Sequence, residues 1–152
     1  MDTPLFAKIL QIFIVVDDID RYTQTYQDAY GIGPWTFHDF SDVAVPRKLL
    51  AGLPVAYQMK LAICDALNVN LALIQPLDEL SIFAKHLREK GPGLHHLLVA
   101  SEHGYDNVLR TLLARGNDVV QSGTSASGIE YSHVDTTRDL GTIVELFKLP
   151  QQ

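Results

Sequence analysis

Residues 90–99, KGPGLHHLLV, decide how this chain is read. Gly91, Pro92 and Gly93 stop the helix before them, and Leu94 to Ala100 then reads as an apolar strand. His95 and His96 stand side by side on it. Neighbours on a regular strand point to opposite faces, so only one of the two is expected to enter what the sheet encloses.

Upstream, the same order of elements occurs once already. Ile9 to Val16 is a β-branched, apolar run interrupted by Gln11, as a buried strand would be. Asp17, Asp18 and Asp20 offer a helix cap and first-turn acids; Ile19, Tyr22, Tyr26 and Tyr30 follow at helical spacing, and Gly31 supplies the stop. A strand is expected over 35–40, a loop over 41–52, and a hairpin from 55–63 and 70–75, which Pro76 ends. Residues 80–90 read as a short helix. After the His-His strand, Tyr105, Val108, Leu109, Leu112 and Leu113 form one helical face that Gly116 closes. Short strands over 118–121, 129–134 and 142–149 complete the chain, with a Gly/Ser-rich loop over 122–127. Gln11 and His96 are 85 positions apart, and so are Gly31 and Gly116. Two landmarks at one offset argue for a duplicated unit. The reading is an α+β protein of two βαβββ modules, about 8–76 and 93–150, with a linker helix at about 80–90. Each module is too small to bury its own sheet, so the two should pair into one curved sheet around a central cavity.

Composition excludes several classes. Of 152 residues, 47% are apolar and 20% charged, an ordinary globular balance. The net charge of −6, with no Lys/Arg run, argues against nucleic acid or an anionic membrane as partner. The opening MDTPLFAKILQIFIVVDD has no basic leader or cleavage site, and no run approaches the roughly 20 apolar residues of a membrane helix. A soluble, cytoplasmic protein is expected. Cys64 is the only cysteine and reads as structural. There is no P-loop, nucleophile elbow or dinucleotide fingerprint.

Three stretches carry a family resemblance: QIFIVVDDIDRYTQTYQDAYGIGPW, LIQPLDELSIFAKHLREKGPGLHHLLV and DTTRDLGTIVELFKLP. Together they resemble the vicinal oxygen chelate (glyoxalase/bleomycin-resistance) superfamily, in particular its methylmalonyl-CoA epimerase-like branch. The resemblance implies metal ligands on the first and last strands of each module. The second histidine of the pair is then His96, and the carboxylate of the last strand is Glu145. Gln11 stands where the first-strand ligand is usually histidine. Ala72 stands where glutamate or glutamine is usual and has no ligand atom. Gln75 is an odd number of residues away and should face the other side.

Outside that context His96 would read as an ordinary core histidine and Glu145 as an edge-strand carboxylate in water. Within it, Gln11, His96 and Glu145 form a weak divalent-metal site, or one that holds no metal. His96 and Glu145 are then the proton-transferring candidates, with the Glu145 pKa expected to be raised by an apolar cavity. His95 should face away in a structural role. Trp35, Phe37, Tyr57, Met59, Tyr131 and His133 are candidates for the cavity wall. The implied function is an isomerase or lyase acting next to the carbonyl of a small substrate, a thioester or aromatic ketone, and the implied assembly is a homodimer. The alternative on the same fold is a metal-free protein that sequesters a small molecule.

Overall fold

The structure is a computed structural model and describes residues 2–150. Ten strands form one curved sheet: β1 (Lys8–Val15), β2 (Thr36–His38), β3 (Arg47–Leu50), β4 (Leu53–Pro54), β5 (Met59–Cys64), β6 (Asn70–Pro76), β7 (Gly93–Ala100), β8 (Asp118–Thr124), β9 (Glu130–Asp135) and β10 (Ile143–Lys148). Their order is β2-β5-β6-β1-β7-β10-β9-β8-β3-β4. Two βαβββ modules are therefore present. Each has its first strand inside and its last strand parallel to it, and the two first strands join antiparallel. The offset of 85 carries β1 onto β7 end to end, so the repeat legible in the sequence is the repeat of the fold.

Period-2 alternation sorts the side chains. Phe13, Val15, Ala72 and Ile74 face inward and pack with Tyr57, Met59 and Phe83. Their neighbours face out. Leu73 and Ala62 meet α1 (Ile19–Tyr30), while Val99, Val134, Val144 and Leu146 meet α3 (Tyr105–Ala114). Gln75 faces out, as expected, and its Oε1 accepts from the Ile19 N–H at the start of α1 (2.9 Å). The helix α2 (Ile82–Lys90) joins the modules and sends Phe83 into the inner cluster. No helix among the described residues is long and apolar enough to cross a membrane.

Three details depart from the sequence reading. Residues 41–52 are not all loop: β3 leaves the first module, pairs with β8 of the second, and with β4 forms a hairpin on its edge. That partner also extends β8 through Thr124, into what reads as a Gly/Ser loop. Gly123 lies between the Arg47 carbonyl and the Tyr131 ring, where a Cβ would clash. A one-turn helix, α4 (Thr137–Leu140), fills part of the last loop. Lastly, the strand expected from residue 55 starts at Met59.

The hairpin brings Lys48 inside. Its side chain is 2% exposed, and its ammonium donates to Asp42 Oδ1 (3.0 Å) and the Tyr57 carbonyl (2.9 Å) near the faces of Phe40 and Tyr57. Lys48→Met would keep the buried stem but leave the Tyr57 carbonyl without its donor. The expected loss is roughly 1–3 kcal/mol in urea unfolding, and an unchanged midpoint would contradict the role given to this ammonium.

Candidate active site

Antiparallel pairing of β1 with β7 is interrupted at two points, between Ile9 and Gln11 and between Phe13 and Ile14, and the second shapes the site. Phe13 pairs with His96, and the next residue, Ile14, pairs with Leu94. His95 is thus the extra residue of a β-bulge. The bulge breaks alternation, and both histidines turn inward. His95 does not face away: its Nδ1 lies 2.8 Å from the His96 Nδ1, and its ring packs edge-on to Phe83 and His86. His96 Nδ1 accepts from the His95 Nδ1–H, because His96 carries its proton on Nε2. That Nε2–H faces the cavity and donates to Glu145 Oε1 (3.3 Å), a carboxylate oxygen that can only accept.

His96 meets Glu145 and His133 there. Glu145 and His133 are register partners on β10 and β9. Glu145 Oε1 is 3.3 Å from His96 Nε2 and 3.0 Å from His133 Nε2. The three ligating atoms all lie within 4.8 Å of one another. His133 is 3% exposed, and neither of its ring nitrogens makes a hydrogen bond, because the short contact to Glu145 is out of line. Phe13 lies flat on the His96 ring at 4.1 Å.

The cluster sits in a cavity of about 350 Å³ whose wall is otherwise almost wholly apolar. Gln11, Tyr57, Met59 and Tyr131 line it as the sequence implied, and Phe40, Leu98 and Phe147 join them. Trp35 and Phe37 do not. The Trp35 indole packs on Tyr26 of α1 and donates to the Ile32 carbonyl (3.0 Å), while Phe37 is on the edge strand β2 and half exposed. Both are outside because β2 ends the sheet on the α1 side. Ala72 is fully buried with its register partner Phe13 and is not part of the cavity wall. His133 was legible only as a wall candidate, on a face that the sequence does not fix. Its pairing with Glu145 is a register fact that no local pattern carries.

The electrostatics correct one expectation. Burial alone would raise the Glu145 pKa, but the His133 and His96 imidazoles outweigh it and hold the carboxyl below its usual range. Glu145 is a carboxylate at neutral pH. The hydroxyls of Tyr57 and Tyr131 are 3.2 Å apart. Burial pushes Tyr57 up and Tyr131 up to about 12, so both stay protonated. One donates to the other, which leaves one O–H for an oxygen in the cavity.

Two buried imidazoles and a carboxylate suit a divalent transition ion. The unpartnered nitrogens of His133 fit such an ion, and His96 Nε2 would give up its proton to become a ligand. An Ala72 carboxylate would not fit, because Phe13 fills the adjoining space. Ala72→Glu is therefore expected to cost more than about 3 kcal/mol and to add no metal affinity. A variant of parental stability that binds cobalt more tightly would refute this.

The pH dependence follows from the same burial. Burial, helped by His96, pushes His95 down to about 2, and burial pushes His96 down to about 4 against the pull of Glu145. Unfolded histidine titrates near pH 6.5. As pH falls below that, the unfolded chain takes up protons that the folded, ion-free protein refuses. Stability is complete above pH 6.5 and is lost on acidification; at pH 5 each histidine accounts for about 2 kcal/mol. The Glu145 contribution is lost only at lower pH, because its folded pKa is depressed. Urea midpoints in chelator should drop between pH 7 and pH 5, and less so in His95→Gln. Equal midpoints would contradict the account.

Known proteins agree with this architecture. The family model of the Glyoxalase/Bleomycin resistance protein/Dioxygenase superfamily matches residues 10–132. No curated protein matches in sequence. Among solved structures, methylmalonyl-CoA epimerase from Mycobacterium tuberculosis superposes with TM-score 0.68 at 21% identity, covering 99% of this chain and 93% of that one. A variant of the Streptomyces coelicolor epimerase in complex with 2-nitronate-propionyl-CoA gives 0.67 at 17%, covering 96% and 99%. A hypothetical protein from Bacillus halodurans gives 0.67 at 18%, covering 95% and 96%. At such identities the likeness is one of fold. With most of its length matched by the family model, the chain belongs to the glyoxalase/bleomycin resistance/dioxygenase superfamily.

Proposed function

We propose that this protein is an isomerase of the epimerase type, which moves a proton at the carbon next to a carbonyl. The observation that carries this reading is Glu145, an ionised carboxylate 13% exposed between two histidines in an apolar cavity. Such a group is expensive to maintain unless it has work to do. The cavity is of a size for a small acyl or aryl group, and the epimerase neighbours in complex with 2-nitronate-propionyl-CoA and with methylmalonyl-CoA support a thioester. Gln11 is the only polar group on the β1 side, and no lysine or arginine is in the wall, so the acyl group itself should be uncharged.

In this reading the carbonyl oxygen takes the free O–H of the Tyr57–Tyr131 pair, and Glu145 takes the proton from the neighbouring carbon. Negative charge that develops on the oxygen meets a donor already in place. His96, fixed by His95, holds Glu145 in position. A divalent ion held at His96 and Glu145 would polarise the same carbonyl when bound. The apolar walls exclude water from the enolate. They also favour the second reading, a metal-free protein that binds a small apolar molecule.

Deuterium uptake separates the two. Incubation with propionyl and aryl-acetyl thioesters in D₂O should place deuterium at the carbon next to the carbonyl. Glu145→Gln should slow uptake by about 10²–10⁴-fold, and Tyr131→Phe by about 10-fold or more, with folding intact. Binding without any exchange would leave the sequestering protein as the better description.

A further inference from the structure

We propose that His133 has taken over the metal-ligand role that residue 72 cannot fill, so that the site is the triad His96, His133 and Glu145, drawn wholly from the second module. This deepens the reading above, and its test does not depend on catalysis.

Four observations converge. First, the ligand position of the first module is closed: Ala72 is fully buried, and Phe13 packs with it and covers one face of His96. Second, β7, β10 and β9 are consecutive in the sheet, and the Glu145–His133 register places those two side chains abreast. Third, His133 is buried with both nitrogens unpartnered, held edge-on by Phe83, Tyr131 and His96. A histidine that only filled space would leave two polar atoms desolvated, a cost that leucine or phenylalanine would avoid. Fourth, the carboxylate oxygen stands at ligand separations from both imidazoles, and all three donor atoms lie within 4.8 Å of one another. Ligands about 2.1 Å from a tetrahedral ion stand about 3.4 Å apart, and Glu145 Oε1 is 3.0 and 3.3 Å from the two imidazole nitrogens.

The outer contacts suit the same role. A ligating histidine usually gives its second N–H to a neighbour, which fixes the ring. His95 Nδ1, 2.8 Å from His96 Nδ1, is placed to accept that N–H once an ion takes the His96 Nε2 position. Two imidazoles and a carboxylate favour zinc, cobalt, nickel or ferrous iron over magnesium. Three protein ligands on one side leave positions open toward the cavity, where a substrate oxygen could enter. Gln11 could add at most an amide oxygen from the opposite wall, and the inference is that it is dispensable.

The test uses the full chain, stripped with chelator and titrated with cobalt(II). Metal content, the visible cobalt spectrum and thermal stability are read together. The parent should bind one equivalent and be stabilised by it. His133→Phe should fold, be at least as stable as the parent in chelator, and bind cobalt about 100-fold or more weakly. Gln11→Ala should bind within a few-fold of the parent. His133→Cys supplies the decisive signature: a thiolate ligand adds an intense near-ultraviolet charge-transfer band to the cobalt spectrum, which a packing role cannot produce. If His133→Phe does not fold, the cysteine variant alone decides. Cobalt binding by His133→Cys without that band, or loss of binding in Gln11→Ala with His133→Phe unaffected, would overturn the proposal. A parent that binds no divalent ion would overturn it too. Deuterium uptake by that ion-free parent would show that the proton-transfer reading survives independently.

Discussion

The antiparallel ladder of β1 against β7 joins the first strands of the two modules, and the site depends on the second of its two irregularities, at Phe13 and Ile14. A regular ladder would turn His95 toward α1 and α3 and leave His96 alone on the inner face. The bulge at His95 turns both rings inward and lets one orient the other. The orientation has chemical content. An imidazole whose Nδ1 accepts from His95 carries its proton on Nε2, so the bulge decides what His96 offers Glu145. A backbone defect of one residue thus sets the protonation pattern of the cavity.

Much of the architecture was legible because it rests on repetition and period. The spacing of 85 between Gln11 and His96, and again between Gly31 and Gly116, reports duplication directly. Apolar runs mark β9 and β10 as strands, while the face shared by Tyr131, His133 and Glu145 comes from their register. What was not legible is set by contacts distant in sequence. Residues 47–50 form β3 because β8 offers an edge, not because RKLL favours a strand. Trp35 and Phe37 read as wall residues because aromatics often line cavities, but the terminal place of β2 puts them beside α1. The His95 bulge has no local signature either, since period 2 is the assumption that it violates.

The same limit explains the metal ligands. A family pattern assigns ligands by position along the chain, and by that rule Gln11 and Ala72 make a poor site. Three-dimensional register brings a different set of ligand-bearing groups together, His96, His133 and Glu145. The loss of a ligand at Ala72 and the presence of a phenyl ring at Phe13 are one packing solution, in which an inner face that is polar in a four-ligand site is filled with carbon. Polarity is gathered instead on β7, β10 and β9, where neighbouring strands place Cβ atoms about 5 Å apart, so that side chains can converge without a long reach.

That concentration has an electrostatic consequence. A carboxylate in an apolar cavity is stable only if positive charge or donors stand near it. Here the donors are equivocal. His96 gives Glu145 one long hydrogen bond, His133 aims neither nitrogen well, and both tyrosine hydroxyls point first at each other. The inner face therefore holds more acceptor than donor capacity, while its aromatic walls exclude the water that would ordinarily balance the difference. Only a proton or a cation at the convergence of the three groups restores that balance. When a substrate carbonyl enters, it competes for the same donors and brings in its own acidic hydrogen. A site deficient in protons, next to a carbon acid, is an arrangement in which that hydrogen has somewhere to go.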